Sequence, residues 1–148
     1  MSAAALEVTT VAHSIQLSLA PVFLLSGIGV FLGVLTARLA RVVDRARPLE
    51  ELLKGARGAD AQDLHERLVW LAKRGRLIHI AITLATVSAL LVAIVVALLF
   101  ASNFSPFSLA VPVAALFIGS MAALVGALLS FLVEVQIATR TIRIGPPR

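Results

Sequence analysis

The sequence predicts an all-α integral membrane protein with three transmembrane helices, and its composition and charge pattern are the reason. Of its 148 residues, 59% are hydrophobic and 14% are charged, and the mean hydropathy is +1.00. Soluble domains carry roughly 25% charged residues. No Asp, Glu, Lys or Arg lies between Glu7 and Arg38 or between Arg76 and Glu134. A soluble helical bundle would need charges along every helix, so these stretches exclude one. We expect a single membrane domain over residues 1–148.

The three predicted spans follow from length. A helix needs about 20 apolar residues to cross the hydrocarbon layer, and residues 15–37 satisfy this once. As a single helix, residues 77–133 would reach roughly 85 Å, so this stretch must fold back. The turn-forming run Ser-Asn-Phe-Ser-Pro at 102–106 marks the break. The second and third spans are therefore predicted at residues 77–100 and 109–133, joined by an external loop at 101–108.

The residues before Pro21 allow two interpretations. They mix apolar and polar residues in the manner of an interfacial helix, with the first span proper starting at Pro21. Alternatively, one helix runs through with a proline kink. A cleaved signal peptide is not expected, because the start carries no Lys or Arg and the apolar run is too long.

The basic residues predict the orientation. Of the 13 Lys and Arg residues, ten lie at positions 38–76, three follow Glu134 and none precedes Arg38. Basic residues concentrate on the cytoplasmic side of membrane proteins. The N-terminus is therefore predicted outside, with residues 38–76 and the C-terminus in the cytoplasm.

Residues 38–76 are predicted to form a cytoplasmic helical hairpin. Both arms carry apolar residues at alternating spacings of three and four, as in short coiled coils, and residues 55–58 join them. Asp60 is predicted as the N-cap of the second arm, and Pro48 is expected to interrupt and bend the first. The second arm is expected to continue straight into the second span as one helix.

The base of the first arm is a cluster of charge. Arg38, Arg41 and Arg45 share one helical face, and Asp44 can pair with Arg41 or Arg47. The simpler interpretation is a belt of arginines reaching lipid phosphates, with Asp44 as a counter-charge. The alternative is a defined site for an anionic lipid headgroup or for a partner protein.

Glu134 lies where the third span ends, and a carboxylate at that depth is costly unless paired. Arg38, Arg74 and Arg76 lie at the same predicted depth. We expect an interfacial salt bridge from Glu134 to one of these arginines; a proton or ion relay is the alternative.

Small and hydroxyl residues recur within the spans. Small residues let membrane helices approach closely, within one chain or between chains. The residues predicted to pack are Gly29, Gly33, Ala85, Ala89, Ala93 and Gly126. Ser26, Ser88 and Ser120 fall at one predicted depth near the bilayer centre, where they would either bond between helices or line the pore of an oligomer.

Several classes of function are not expected. The chain has no Cys, and it contains no nucleotide-binding loop, no nucleophile with a positioned base and no metal-ligand spacing, His13, His65 and His79 included. No cofactor and no enzymatic activity are predicted. Because the basic residues flank the spans, they indicate the lipid bilayer and its anionic headgroups as partners, and no nucleic acid.

The segment from Pro21 to Gly29, leading into Arg-x-x-Arg-Val-Val-Asp-Arg-x-Arg at positions 38–47, resembles a bacterial family of short three-span membrane proteins. Arg74-Gly75-Arg76 and the residues around Glu134 are similar to the same family, which is catalogued as a domain of unknown function. The resemblance implies a bacterial inner-membrane protein and brings no activity with it.

Three functional hypotheses follow. The first is a non-enzymatic, self-associating protein, a homo-oligomer, with a scaffolding or regulatory role through its basic cytoplasmic hairpin, which a cytoplasmic protein would bind. The second is an oligomeric channel or pore. The third is a membrane protein that binds anionic lipid.

Overall fold

Three long α-helices make up the part of the chain that the structure, a computed structural model, describes. It describes residues 3–102 and 109–140, with the side chains of residues 15–139 in these ranges except that of residue 17. The helices are α1 (Ala3–Gly55), α2 (Ala59–Ala101) and α3 (Ala110–Arg140). No strand occurs within these ranges, and the predicted all-α class is confirmed.

Each helix is long and apolar enough to cross a membrane. The candidate spans are Ser18–Gly55, Ala59–Ala101 and Ala110–Thr139. Their apolar surfaces are largely exposed on the chain: Phe23 is 73% exposed and Val111 is 78% exposed. Such surfaces suit contact with lipid chains. Positions 103–108 of the predicted external loop lie outside the described residues.

Two prolines lie inside α1. The helix is continuous from Ala3 to Gly55 through Pro21 and Pro48, so residues 3–20 are part of the same helix. The prediction that Pro48 interrupts the first arm is wrong. A proline removes one backbone hydrogen bond, and the many remaining turns of a helix this long tolerate that loss.

Glycine forms the turn between α1 and α2. Gly58 has φ +66°, the left-handed conformation that glycine adopts without a steric penalty. The amide of Gln62 donates to the Gly58 carbonyl at 3.3 Å, so Gly58 takes the N-cap position that was predicted for Asp60. Asp60 lies in the first turn instead, where its charge is favourable near the positive end of the helix dipole. As predicted, α2 continues from the second arm through the second span without a break.

The chain divides into two compact units, and each has its own buried residues. One comprises Met1–Leu32 and Leu84–Val125, and the other comprises Gly33–Thr83 and Gly126–Arg148. The first unit buries Ile28, Ala85, Ser88, Val92, Val95 and Ser120. The second unit buries Leu35, Val42, Ile78, Ala81, Ala127 and Glu134.

The predicted alanine stripe of α2 follows the buried face only in part. Ala85 is buried and Ala89 is half-buried, but Ala93 is exposed. A four-residue step turns an α-helix by about 400°, so such a stripe drifts by about 40° at each step. The buried positions alternate spacings of three and four instead: Ile78, Ala81, Ala85, Ser88, Val92 and Val95.

Candidate functional site

Glu134 is the centre of a buried ionic cluster. Its side chain on α3 is fully buried. Arg38 of α1 donates from Nη1 to Glu134 Oε2 at 2.6 Å. Arg74 of α2 donates to Glu134 Oε1 from Nη2 at 2.8 Å and from Nε at 3.1 Å. We call these three residues the Glu134 cluster.

The positions of charged residues at the ends of the uncharged stretches explain why Arg38, Arg74 and Glu134 meet. Arg38 ends the uncharged stretch of α1, Arg74 lies just before that of α2, and Glu134 ends that of α3. An unpaired carboxylate removed from water is strongly unfavourable. Two guanidiniums supply both charge and hydrogen bonds to its two oxygens. The arrangement therefore suits a structural role for Glu134, which joins all three helices.

Of the three arginines predicted to pair with Glu134, the structure brings Arg38 and Arg74 to it. Arg76 is exposed and takes no part in the ion pairs among the described residues. The Arg38 guanidinium also lies over the Phe131 ring, 5.0 Å from its centroid, where cation–π attraction helps fix its orientation. The contribution of Phe131 was not foreseen, because aromatic residues are common in apolar spans.

Beside the Glu134 cluster lies a small cavity of about 110 Å³, which we call the arginine cavity. Four of its five lining residues are arginines: the lining is Arg38, Arg41, Val42, Arg45 and Arg74. The predicted headgroup or partner contacts Arg38, Arg41 and Arg45 thus meet at one place, joined by Arg74, which was expected only as a partner of Glu134. The position of Arg74 near the start of the second span was the signal in the sequence that its side chain could reach the arginines of α1.

Two other predicted contacts lie elsewhere. Asp44 and Arg47 are exposed and do not line the arginine cavity. Within the described part of the chain, Asp44 forms no ion pair, so the expected pairing with Arg41 or Arg47 is absent. Arg47 lies about 180° around the helix from Arg38, which places it on the opposite face.

A larger apolar groove lies between the arms of the hairpin, which we call the hairpin groove. Its volume is about 410 Å³. Apolar residues of both arms line it, among them Leu39, Val43, Leu68 and Val69, while Glu50 and His65 supply polar groups. The arms approach closely at Gly75, where a methyl group would lie 3.6 Å from Val42 Cγ1.

Two of the three predicted mid-membrane serines contact each other. Ser88 and Ser120 are buried, and the Ser88 hydroxyl donates to the Ser120 carbonyl at 2.8 Å, with the two hydroxyl oxygens 3.4 Å apart. Ser26 is exposed on α1. The buried pair is an interhelical hydrogen bond of the kind that joins membrane helices.

The predicted packing glycines are mostly open. Gly29 and Gly33 are exposed, and apart from the neighbouring backbone of α1, a methyl group added to either would meet no described atom within 4 Å. Gly126 is half-buried, and its carbonyl accepts a hydrogen bond from the Ser130 hydroxyl at 2.9 Å. Within the described part of the chain, no other helix approaches Gly29 or Gly33 closely enough to touch such a methyl group.

Comparison with known proteins gives one informative result. Residues 18–144 match the model of a family described as Protein of unknown function (DUF2721). Neither the curated proteins nor the solved structures compared with the chain gave a match.

Proposed function

The chain belongs to the DUF2721 family of proteins of unknown function, and we propose that this member is a non-enzymatic integral membrane protein that presents a basic helical hairpin for scaffolding or regulation. The membership confirms the resemblance seen in the sequence. Because the family carries no assigned activity, the proposal depends on the residues of this chain.

The Glu134 cluster is the observation that carries the proposal. Both arms of the hairpin, residues 38–76, are helical continuations of apolar segments of α1 and α2. At the base of the arms, one buried carboxylate of α3 binds an arginine of each arm. Breaking such contacts is costly. A hairpin held at its base in this way keeps its two arms fixed to each other and to Glu134 of α3, which suits a surface that another protein recognises.

Exposed apolar side chains on the hairpin support a protein partner. Trp70 is 54% exposed and Leu52 is 61% exposed. Both lie outside the uncharged stretches, so contact with lipid chains does not account for their exposure. The hairpin groove adds further apolar surface next to Val69. Trp70 also has Lys73 Nζ 5.8 Å from its ring centroid. Tryptophan is enriched at protein–protein interfaces and among the residues that contribute most to binding.

Site-specific photocrosslinking tests the scaffolding proposal. A photoreactive amino acid replaces Trp70 on the hairpin, and Phe23, 73% exposed in the apolar part of α1, is replaced in the control. We expect a discrete protein adduct in cells from position 70 and lipid adducts from position 23. The adduct mass distinguishes a second copy from another protein. No protein adduct at position 70 would refute the scaffolding role.

Self-association through the spans is a second candidate, favoured by the open glycines of α1. Gly29 and Gly33 lie four residues apart, and none of the described residues covers either of them. This is the spacing at which membrane helices of two chains approach closely. The glycines allow such contact, and lipid chains are the alternative occupant of the same surface.

The mass of the protein in nanodiscs tests self-association. We expect an oligomer that dissociates in the double variant Gly29→Leu/Gly33→Leu. Gly27→Leu is the matched control, because Gly27 is equally open and lies about 160° around the helix from Gly29. A monomeric wild type, or an oligomer indifferent to the double variant, would exclude this interface.

A pore lined by the central serines has less support. The hydroxyls of Ser88 and Ser120 are buried within the chain and are close to one another. Among the three serines, only Ser26 has the exposure that a lumen-lining residue needs.

A further inference from the structure

We propose that the arginine cavity is a binding site for a single phosphate group, carried either by a lipid headgroup or by free phosphate. The site goes beyond the scaffolding proposal and does not depend on it. It consists of Arg38, Arg41, Arg45 and Arg74 around a space of about 110 Å³.

The charge of the cavity lining favours an anion. Among the described residues, no carboxylate lines the arginine cavity, and Glu134 is the one acid that contacts its arginines, shared by Arg38 and Arg74. In the same part of the chain Arg41 and Arg45 form no ion pair, so the four guanidiniums have one carboxylate between them. Cations held this close repel one another, and an anion in the cavity removes that repulsion.

Two of the cavity arginines are already held in place by Glu134. Arg38 uses Nη1 and Arg74 uses Nε and Nη2 to bind Glu134. A guanidinium has five N–H donors, so each retains donors for a second acceptor. Glu134 and the Phe131 ring fix how Arg38 is oriented. Because these two arginines are held before a ligand arrives, binding costs less side-chain entropy.

The guanidiniums and the size of the arginine cavity favour phosphate as the anion. Planar guanidiniums match the oxygens of phosphate through paired hydrogen bonds. The cavity has room for several water molecules or one phosphate group, and it is too small to enclose a nucleotide. Arg38 is the first charged residue after the apolar stretch of α1, which is where lipid phosphates lie in a bilayer. A soluble phosphate offers the same oxygens.

The variants follow from the geometry. Arg41→Gln and Arg45→Gln each remove a cavity arginine that does not contact Glu134, so the Glu134 cluster stays intact. Arg47→Gln is the matched control, because it removes the same charge from the same arm on the opposite face of α1. Arg41→Lys keeps the charge and removes the planar fork.

Binding is measured on the full chain in neutral detergent by native mass spectrometry with phosphatidic acid, and by calorimetry with inorganic phosphate. We expect one bound phosphatidic acid, affinity lower by about tenfold in Arg41→Gln and in Arg45→Gln, an intermediate loss in Arg41→Lys, and a change below about twofold in Arg47→Gln.

The outcomes separate the two sources. If inorganic phosphate binds with this variant dependence and phosphatidic acid does not, the site serves phosphate from solution. If phosphatidic acid binds and inorganic phosphate does not, it serves a lipid. Equal losses in all variants would show diffuse charge attraction and overturn the proposal, as would the absence of binding by both probes. Unchanged thermal stability of Arg41→Gln confirms that the fold is intact.

Discussion

At the scale of single residues, Glu134 and its two arginines form a buried contact whose loss is expected to be costly. Arg74 and Arg76 lie two positions apart on α2, and only Arg74 binds Glu134. We expect Arg74→Gln to lower the free energy of unfolding by roughly 1–3 kcal/mol, because Glu134 loses two of its three hydrogen-bond donors while remaining buried. Arg76→Gln, at an exposed site, is expected to change it by less than about 0.5 kcal/mol. Titration with SDS in mixed micelles measures both, and equal effects would contradict the assigned pairing.

The residues of this contact were predictable because Glu134 is the only acid after Glu66 and ends an apolar stretch, where a carboxylate is costly unless an arginine pairs with it. Glu134 had three candidate partners at one depth, and depth alone could not choose among them. The choice depends on rotation about the α2 axis: Arg74 and Arg76 differ by about 200° around a helix. That rotation is decided by packing between helices, which periodicity within one helix does not report.

At the scale of helices, replacement by alanine is expected to have opposite effects on stability at Gly58, in the turn before α2, and at Gly75, inside α2. Gly58 adopts φ +66°, whereas Gly75 lies inside α2 with space for a methyl group next to Val42. We expect Gly58→Ala to destabilise the protein by about 1 kcal/mol, because alanine is strained in that conformation. Gly75→Ala is expected to stabilise it by about 0.5–1 kcal/mol through helix propensity.

The same micelle titration tests this pair, with each glycine variant serving as the control for the other. Destabilisation by Gly75→Ala would mean that the arms are packed more tightly there than the 3.6 Å approach to Val42 indicates. Gly75→Leu should be destabilising in any case, because its longer side chain would enter the contact between the arms.

Helix existence was more predictable than helix packing. Long uncharged stretches and the turn at residues 55–58 were sufficient to predict that α1, α2 and α3 exist, although α3 extends to Arg140 and α1 continues through Pro48. The cap at Asp60 was misassigned because Gly58 accepts the first helical hydrogen bond instead. The alanine stripe misled because Ala93 turns away from the face that buries Ala85. Small residues identify a close approach only when their spacing follows the buried face.

At the scale of the whole molecule, the distribution of basic residues predicts which ends face the cytoplasm. The chain has no Cys, so single cysteines report accessibility without background. With a membrane-impermeant maleimide on intact bacterial cells, we expect labelling of Ala101→Cys at the end of α2. Glu51→Cys, on the hairpin, should react only after the cells are lysed. The opposite pattern would invert the predicted orientation, and the unsubstituted chain serves as the unlabelled control.

The Glu134 cluster can form only late in biosynthesis. Ribosomes make Arg38 first, Arg74 next and Glu134 last, and Glu134 lies 96 positions after Arg38 and 60 positions after Arg74. Both arginines are therefore synthesised before the carboxylate that pairs with them exists. Only a chain translated past Glu134 can complete the cluster. A translation product that stops short has both arginines at the base of its hairpin and lacks the residue of α3 that binds them.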